Sequence, residues 1–177
     1  MQVKPTNKGQ SLNTLATFLE YPRSDYFESL ELASTGLTEL RYKQASKTLE
    51  EFKKNINEFC LDELEELYTR TFDVAPVCSP YISVHIYGDE NFDRGNLMAT
   101  LQTKFDERGF SRSDNELPDH LAVLLKFCHY LTQEELDELI EFCLKEPVER
   151  MAESLKGSKK PNPYYYPLKA VLEILKV

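Results

Sequence analysis

This chain is poor in the residues and spacings that most often announce an activity. Its four cysteines, Cys60, Cys78, Cys128 and Cys143, form no Cys-x-x-Cys pair, whereas zinc sites draw on ligand pairs closer together in sequence. They read as reduced thiols, three of them inside apolar helical patterns, with Cys78, beside Ser79-Pro80, the exposed one. Histidine occurs three times, and no His-Glu-x-x-His run or nucleophile–base signature accompanies it. The longest apolar run, Leu121 to Leu125, is interrupted by Lys126. A membrane-crossing helix needs about 20 apolar residues, so stable membrane insertion is not expected. The stretch from Met1 to Gln10 lacks the apolar core of a secretory leader, which places the protein in the cytoplasm. Glycine numbers six, and neither low-complexity segments nor solenoid-type repeats are visible.

What is present fits one globular unit. The 177 residues match a single domain spanning 1–177, long enough to bury about two-thirds of its unfolded surface. The 21 basic and 30 acidic residues leave a net charge of −9. Phosphate backbones repel such a surface, so nucleic acid is not an expected partner. The acid gathers on two segments: Glu58, Asp62, Glu63, Glu65 and Glu66, then Glu134, Glu135, Asp137, Glu138 and Glu141. These are solvated helix faces, or surfaces that draw a basic partner.

Helical periodicity runs through almost the whole chain. Leu12, Leu15, Phe18 and Leu19 recur on one face, and Tyr21-Pro22 stops that helix. A short helix follows from Ser24, as N-cap, to about Ala33, with Gly36 breaking it. Leu40, Ala45, Leu49, Phe52 and Ile56 mark a longer helix over 38–57. Leu64, Leu67, Tyr68 and Phe72 mark the next, from about Leu61. Between 81 and 87, periodicity leaves a short extended piece and a helical turn equally open. Leu97, Met98, Leu101 and Phe105 then form a stripe that Gly109 ends as a C-cap. Pro118 suits the first position of a helix running to Tyr130. Thr132 and Glu135 form a capping box. Pro147 re-initiates a helix that Gly157 closes, a polar loop covers 158–163, and Leu168, Val171, Leu172 and Leu175 complete a last helix. The expectation is an all-α single-domain bundle of about eight helices, with 158–163 its most flexible loop.

Two polar motifs stand between these helices. In the first, Gly88 supplies a positive φ, Asp89 or Asn91 caps exposed N–H groups, and Arg94, before Gly95, is placed to fork onto a carboxylate. In the second, Glu116-Leu117-Pro118-Asp119-His120, an acid and a neutral imidazole meet at a helix start, equipment suited to holding a peptide backbone. The bland readings are a structural cap with an internal ion pair, and a half-buried histidine. Aromatics crowd both motifs: Tyr68, Phe72, Tyr81 and Tyr87 flank the first and Tyr130 follows the second. Such side chains build either core or the rim of a binding groove. The rival chemistry is a helical hydrolase, metal- or nucleotide-dependent, using His85, Asp89, Asp119 and His120, although their spacing is long.

At these residues the sequence resembles the cytoplasmic chaperones of molybdenum oxidoreductases, which include the assembly protein (delta subunit) of respiratory nitrate reductase and the TorD/DmsD proteins. The resemblance rests on Leu67-Tyr68-Thr69-Arg70-Thr71-Phe72-Asp73, on Gly88-Asp89 with Asp93-Arg94-Gly95, on Gly109-Phe110, and on Glu116-Leu117-Pro118-Asp119-His120-Leu121, in that order and at those intervals. It implies an all-helical fold without catalysis and without a cofactor of its own. It also implies binding of the N-terminal peptide of a molybdoenzyme catalytic subunit, often a twin-arginine signal, while the molybdenum cofactor is inserted. It carries peptide-binding roles to Tyr68, Phe72, Pro80, Tyr81, Asp119 and His120. Asp73, His85, Gly88, Asp89, Arg94, Gly95, Glu116 and Pro118 enter as motif positions. The nitrate reductase group has Glu-His-Val-His-Gly where this chain has Val84-His85-Ile86-Tyr87-Gly88, so the resemblance does not single out a client. Monomer and dimer are both compatible with it.

Overall fold

The apolar stripes read from the sequence become ten α-helical segments in the computed structural model, which describes residues 4–112, 116–157 and 159–177. α1 (Asn7–Ala16) is started by Thr6, whose side chain accepts the Gly9 N–H at 2.9 Å, and it passes into a 3₁₀ turn, Thr17–Leu19. α2 (Tyr26–Glu39) and α3 (Lys43–Ile56) are followed by α4 (Leu61–Tyr68), which widens into a π turn at Thr69–Asp73. α5 (Ile82–Tyr87) is short and α6 (Asp93–Arg108) long. α7 (Leu121–Phe127) ends in a 3₁₀ turn, Cys128–Tyr130. α8 (Gln133–Leu139), a second π turn at Ile140–Leu144 and α9 (Lys145–Lys156) form one continuous rod. α10 (Tyr165–Leu175) closes the fold.

α10 lies at the centre because it is apolar around most of its circumference: Leu168, Ala170, Val171 and Ile174 are wholly buried. It packs against α3 on one side and α9 on the other, with α2 outside α3 and α1 crossing both α7 and α10. α3 is strongly two-faced. Ala45, Leu49, Phe52 and Ile56 point inward at helical spacing, and Thr48 ties the helix to Glu173 of α10 at 2.8 Å. Gly9 is required by the closeness of α1 to the turn after α7. A Cβ there would stand 2.4 Å from the Cys128 carbonyl oxygen.

An aromatic chain runs through this core, from Phe18 to Tyr26, Phe52 and Tyr164, with ring centroids 5.5–6.3 Å apart. Tyr164 then meets Tyr68 at 5.8 Å and Phe72 at 5.1 Å. A second cluster joins Phe105, Phe110, Phe127 and Tyr130. Edge-on and tilted contacts at these distances contribute beyond area burial alone.

Several local expectations change. α2 runs through Gly36, which faces open space, and begins at Tyr26 after Asp25 rather than from a Ser24 cap. Pro118 does not open α7. Pro118 and Asp119 lie in a turn closed by the His120 N–H onto the Leu117 carbonyl at 3.1 Å; His120 is the N-cap, and its Nδ1 accepts the Ala122 N–H at 3.2 Å. The ambiguous 81–87 stretch is helical from Ile82. Pro147 sits inside a continuous helix, where the preceding π turn removes the need for a fresh start. Cys78 is buried at 3% exposure, which pushes its thiol up to about 11, while Cys60 is the exposed thiol. The Thr132–Glu135 capping box and the left-handed Gly109 at the end of α6 form as read. In the loop expected to be most flexible, Ser158 lies outside the described residues. Asn162 anchors the rest: its amide donates to Thr71 Oγ1 at 2.9 Å and its backbone N–H to Leu155.

Candidate functional site

The site begins with backbone interruptions. Thr71 Oγ1 donates to the Leu67 carbonyl at 2.7 Å, a back-bond that loosens the helix at this point. The Val74 N–H reaches past the normal partner to the Thr69 carbonyl at 3.0 Å, closing the π turn. The turn brings Phe72 beside Tyr68, 5.1 Å between rings, and leaves Asp73 at the surface. The chain then bends back, and Pro80-Tyr81 crosses Asp119-His120 antiparallel. Ile82 N–H donates to the Asp119 carbonyl and Leu121 N–H to the Pro80 carbonyl, each at 2.9 Å. Two segments far apart in sequence are thus pinned together by their main chains.

A cavity of about 310 Å³ opens at this crossing. Tyr68, Phe72, Pro80, Phe110 and Val123 give it apolar walls, with Tyr81 and His120 along one side. Its rim carries three acids, Glu20, Asp73 and Glu116, and three bases, Arg23, Arg112 and Lys126. Tyr21, 48% exposed, lies edge-on to Tyr68 at 5.6 Å. Apolar walls with a few polar groups at the rim are the usual composition of a ligand site.

The polar members are individually held. Tyr81 donates its hydroxyl to Glu116 at 2.9 Å; partial burial and this bond push its phenol up to about 12. Burial raises Tyr68 further. His120 is 3% exposed, and burial lowers its pKa against the opposing pull of Glu116, Glu20 and Asp119. The imidazole is therefore neutral. Its hydrogen-bond geometry assigns Nδ1 as acceptor and leaves the proton on Nε2. Lys126 pairs with Glu20, and Arg112 donates to the Glu116 carbonyl.

Of the residues singled out for peptide contact, Tyr68, Phe72, Pro80, Tyr81 and His120 meet at this cavity. Asp119 is wholly buried and does not line it. Instead, Ser83 Oγ donates to Asp119 at 2.5 Å and accepts from Arg94 Nε at 2.8 Å, and Arg94 also donates to the Asp89 carbonyl and carboxylate at 2.8 and 3.0 Å. The two sequence motifs are therefore ends of one network, Asp89–Arg94–Ser83–Asp119, that fixes α5 and α6 against the crossing. Gly88, at φ +85°, lets α5 end within it, and Gly95 faces open space. His85 is turned to the Ser79 carbonyl at 2.8 Å. The four residues of the hydrolase alternative thus engage separate neighbours, and among the described residues no three His, Cys, Asp or Glu side chains cluster as metal ligands would. The sequence reading missed Tyr21, noted only as a helix stop, and Lys126, noted only as the break in an apolar run. A charge that interrupts an otherwise buried helix face was the available signal.

An all-helical body with an aromatic cavity between two main-chain-pinned motifs is what the fold and site define. The family model described as nitrate reductase delta subunit matches residues 39–160, and the chain belongs to that family. It is similar to the probable nitrate reductase molybdenum cofactor assembly chaperone NarJ of Bacillus subtilis (25% identical over 122 residues, 69% of this chain and 66% of that protein). It is also similar to the nitrate reductase molybdenum cofactor assembly chaperone NarJ of Escherichia coli (28% identical over 131 residues, 70% of this chain and 53% of that protein). The matches thus span about half to two-thirds of the relatives' own lengths. A crystal structure of a putative redox enzyme maturation protein from Archaeoglobus fulgidus shares the fold, with a TM-score of 0.64 at 18% identity, over 97% of this chain and 94% of that one.

Proposed function

We propose that this chain is a cytoplasmic chaperone of molybdoenzyme assembly. It grips the N-terminal segment of a nitrate reductase or related molybdenum oxidoreductase catalytic subunit in the 310 Å³ cavity and holds the subunit competent for cofactor insertion. It performs no chemistry of its own. The observation that carries this reading is the meeting of Tyr68, Phe72, Pro80, Tyr81 and His120, drawn from two distant motifs, around one apolar recess with a polar rim. Family membership and the names of the relatives support the same class of client.

The physical logic is that of a helix or extended segment laid into a groove. Buried aromatics supply most of the affinity, and the tyrosine hydroxyls and the His120 N–H supply polar contacts to the peptide. A micromolar Kd corresponds to about 8 kcal/mol, within reach of two or three buried side chains and compatible with later release. A twin-arginine signal is one form the segment takes. Calorimetry tests the proposal: a peptide copying the leading segment of the catalytic subunit should bind the wild-type chain, and Tyr81→Ala should weaken it by about tenfold or more. Equal affinity in Tyr81→Ala and Tyr68→Ala would remove the cavity from consideration.

A further inference from the structure

The charges around the cavity differ in one respect that bears on what enters it. Lys126 is engaged by Glu20, and Arg112 by the Glu116 carbonyl and by Gln102 Oε1, the latter at 2.9 Å. The Glu116 carboxylate accepts from the Tyr81 hydroxyl and from the Leu117 N–H at 3.0 Å. Asp73 has no such engagement: among the described residues, no hydrogen bond or ion pair involves its carboxylate. The nearest cation along the chain, Arg70, turns to Glu66 at 3.6 Å instead. Yet Asp73 lines the cavity, and while burial is the main cause that raises the phenols of Tyr21, Tyr68 and Tyr81, the Asp73 charge adds to each in the same direction.

A carboxylate with no partner among the described residues, set among tyrosine rings at the mouth of an apolar recess, has the makings of a cation receptor. A cation bound there gains a charge-assisted hydrogen bond from the acid and attraction to the ring faces. The π turn is what makes this arrangement. It lets Phe72 point into the wall while the next residue, Asp73, stays in solvent at the rim. Asp119, the acid the sequence favoured for this task, is sealed behind the crossing and cannot be reached without opening it.

We infer that Asp73 is the specificity-determining residue of the cavity: it receives a positively charged side chain of the bound segment, a guanidinium in preference to an ammonium, with the half-exposed Tyr21 ring as its stacking surface. The preference follows from the planar fork of arginine, which satisfies a carboxylate and an aromatic face together. The inference rests on the proposed peptide-binding role of the cavity and adds which chemical feature of the peptide is read.

A coupling experiment decides it. Overlapping peptides tiling the leading segment of a nitrate reductase catalytic subunit from the same genome are titrated against the full chain. The tightest is remade with each arginine and lysine changed in turn to glutamine. In the wild type, one such change should weaken binding about fivefold. In Asp73→Asn the parent peptide should weaken by a similar factor, and that one change should then have no further effect, while the others remain additive. Asp73→Glu, which keeps the charge, should retain the coupling. Undiminished affinity in Asp73→Asn, or equal losses for every glutamine peptide in both proteins, overturns the inference while leaving the peptide-binding role standing. Absence of any peptide binding by the wild type overturns both.

Discussion

Among the described residues two π turns occur, and their surroundings have little in common. The first, Thr69–Asp73, lies where α4 meets the 80–81/119–120 crossing. It is braced by Thr71 to Leu67 and by Asn162 to Thr71, and it delivers Phe72 to a cavity wall. The second, Ile140–Leu144, lies within the α8–α9 rod. It buries Ile140 and Leu144 and leaves Phe142 74% exposed. The same backbone irregularity thus shapes a cavity wall, the proposed recognition site, in one place and keeps a helix continuous in the other. An inserted residue marks a functional position only when neighbouring elements converge on the side chains it redirects.

The comparison can be broken or sharpened by substitution. The largest effect is expected at Tyr164, whose buried ring joins the first turn, through Tyr68 and Phe72, to Phe52 in the core. Tyr164→Ala should cost about 4 kcal/mol in denaturant unfolding and abolish peptide binding with it. Next, Leu144→Ala at the second turn, where the side chain is wholly buried, should cost about 3 kcal/mol yet leave the Kd for the peptide unchanged in calorimetry under native conditions. If Leu144→Ala weakens binding as Tyr164→Ala does, the two turns are not functionally distinct. Phe72→Leu separates the properties in the opposite direction. It should lose only about 1 kcal/mol of stability but weaken binding about tenfold.

Acidity offers a milder test of the site side. The folded His120 pKa is lowered from its ordinary value of 6.5 by burial. As pH falls through that value, the unfolded histidine takes up a proton that the folded one refuses, so stability declines with pH below about 6.5 and is retained above it. His120→Asn, which keeps an acceptor at the N-cap, should flatten this limb of a stability–pH curve. The smallest effect is expected from Phe142→Ser: a change in stability within about 0.5 kcal/mol and none in binding.

The site was legible in part. Tyr68 with Phe72, and Asp119 with His120, stood out as polar and aromatic residues where two helices are interrupted. The sequence could not say which of the two acids, Asp73 or Asp119, looks outward. Both follow or precede aromatic or imidazole side chains in similar local settings. Ser83 carried no signal at all, because its importance lies in meeting Arg94 and Asp119 from different elements.

By itself the sequence determined the helical class, the Thr132–Glu135 and Gly109 helix ends and the inward faces of α3 and α10. Those properties follow from dihedral preferences and from apolar spacing within a few residues. Tertiary structure alone decided that α2 runs past Gly36, that α7 starts at Leu121, and that Cys78 and Asp119 are sealed inside while Asp73 remains open to solvent. Burial at those positions is fixed by partners tens of residues away, and no local pattern encodes where such partners come to lie.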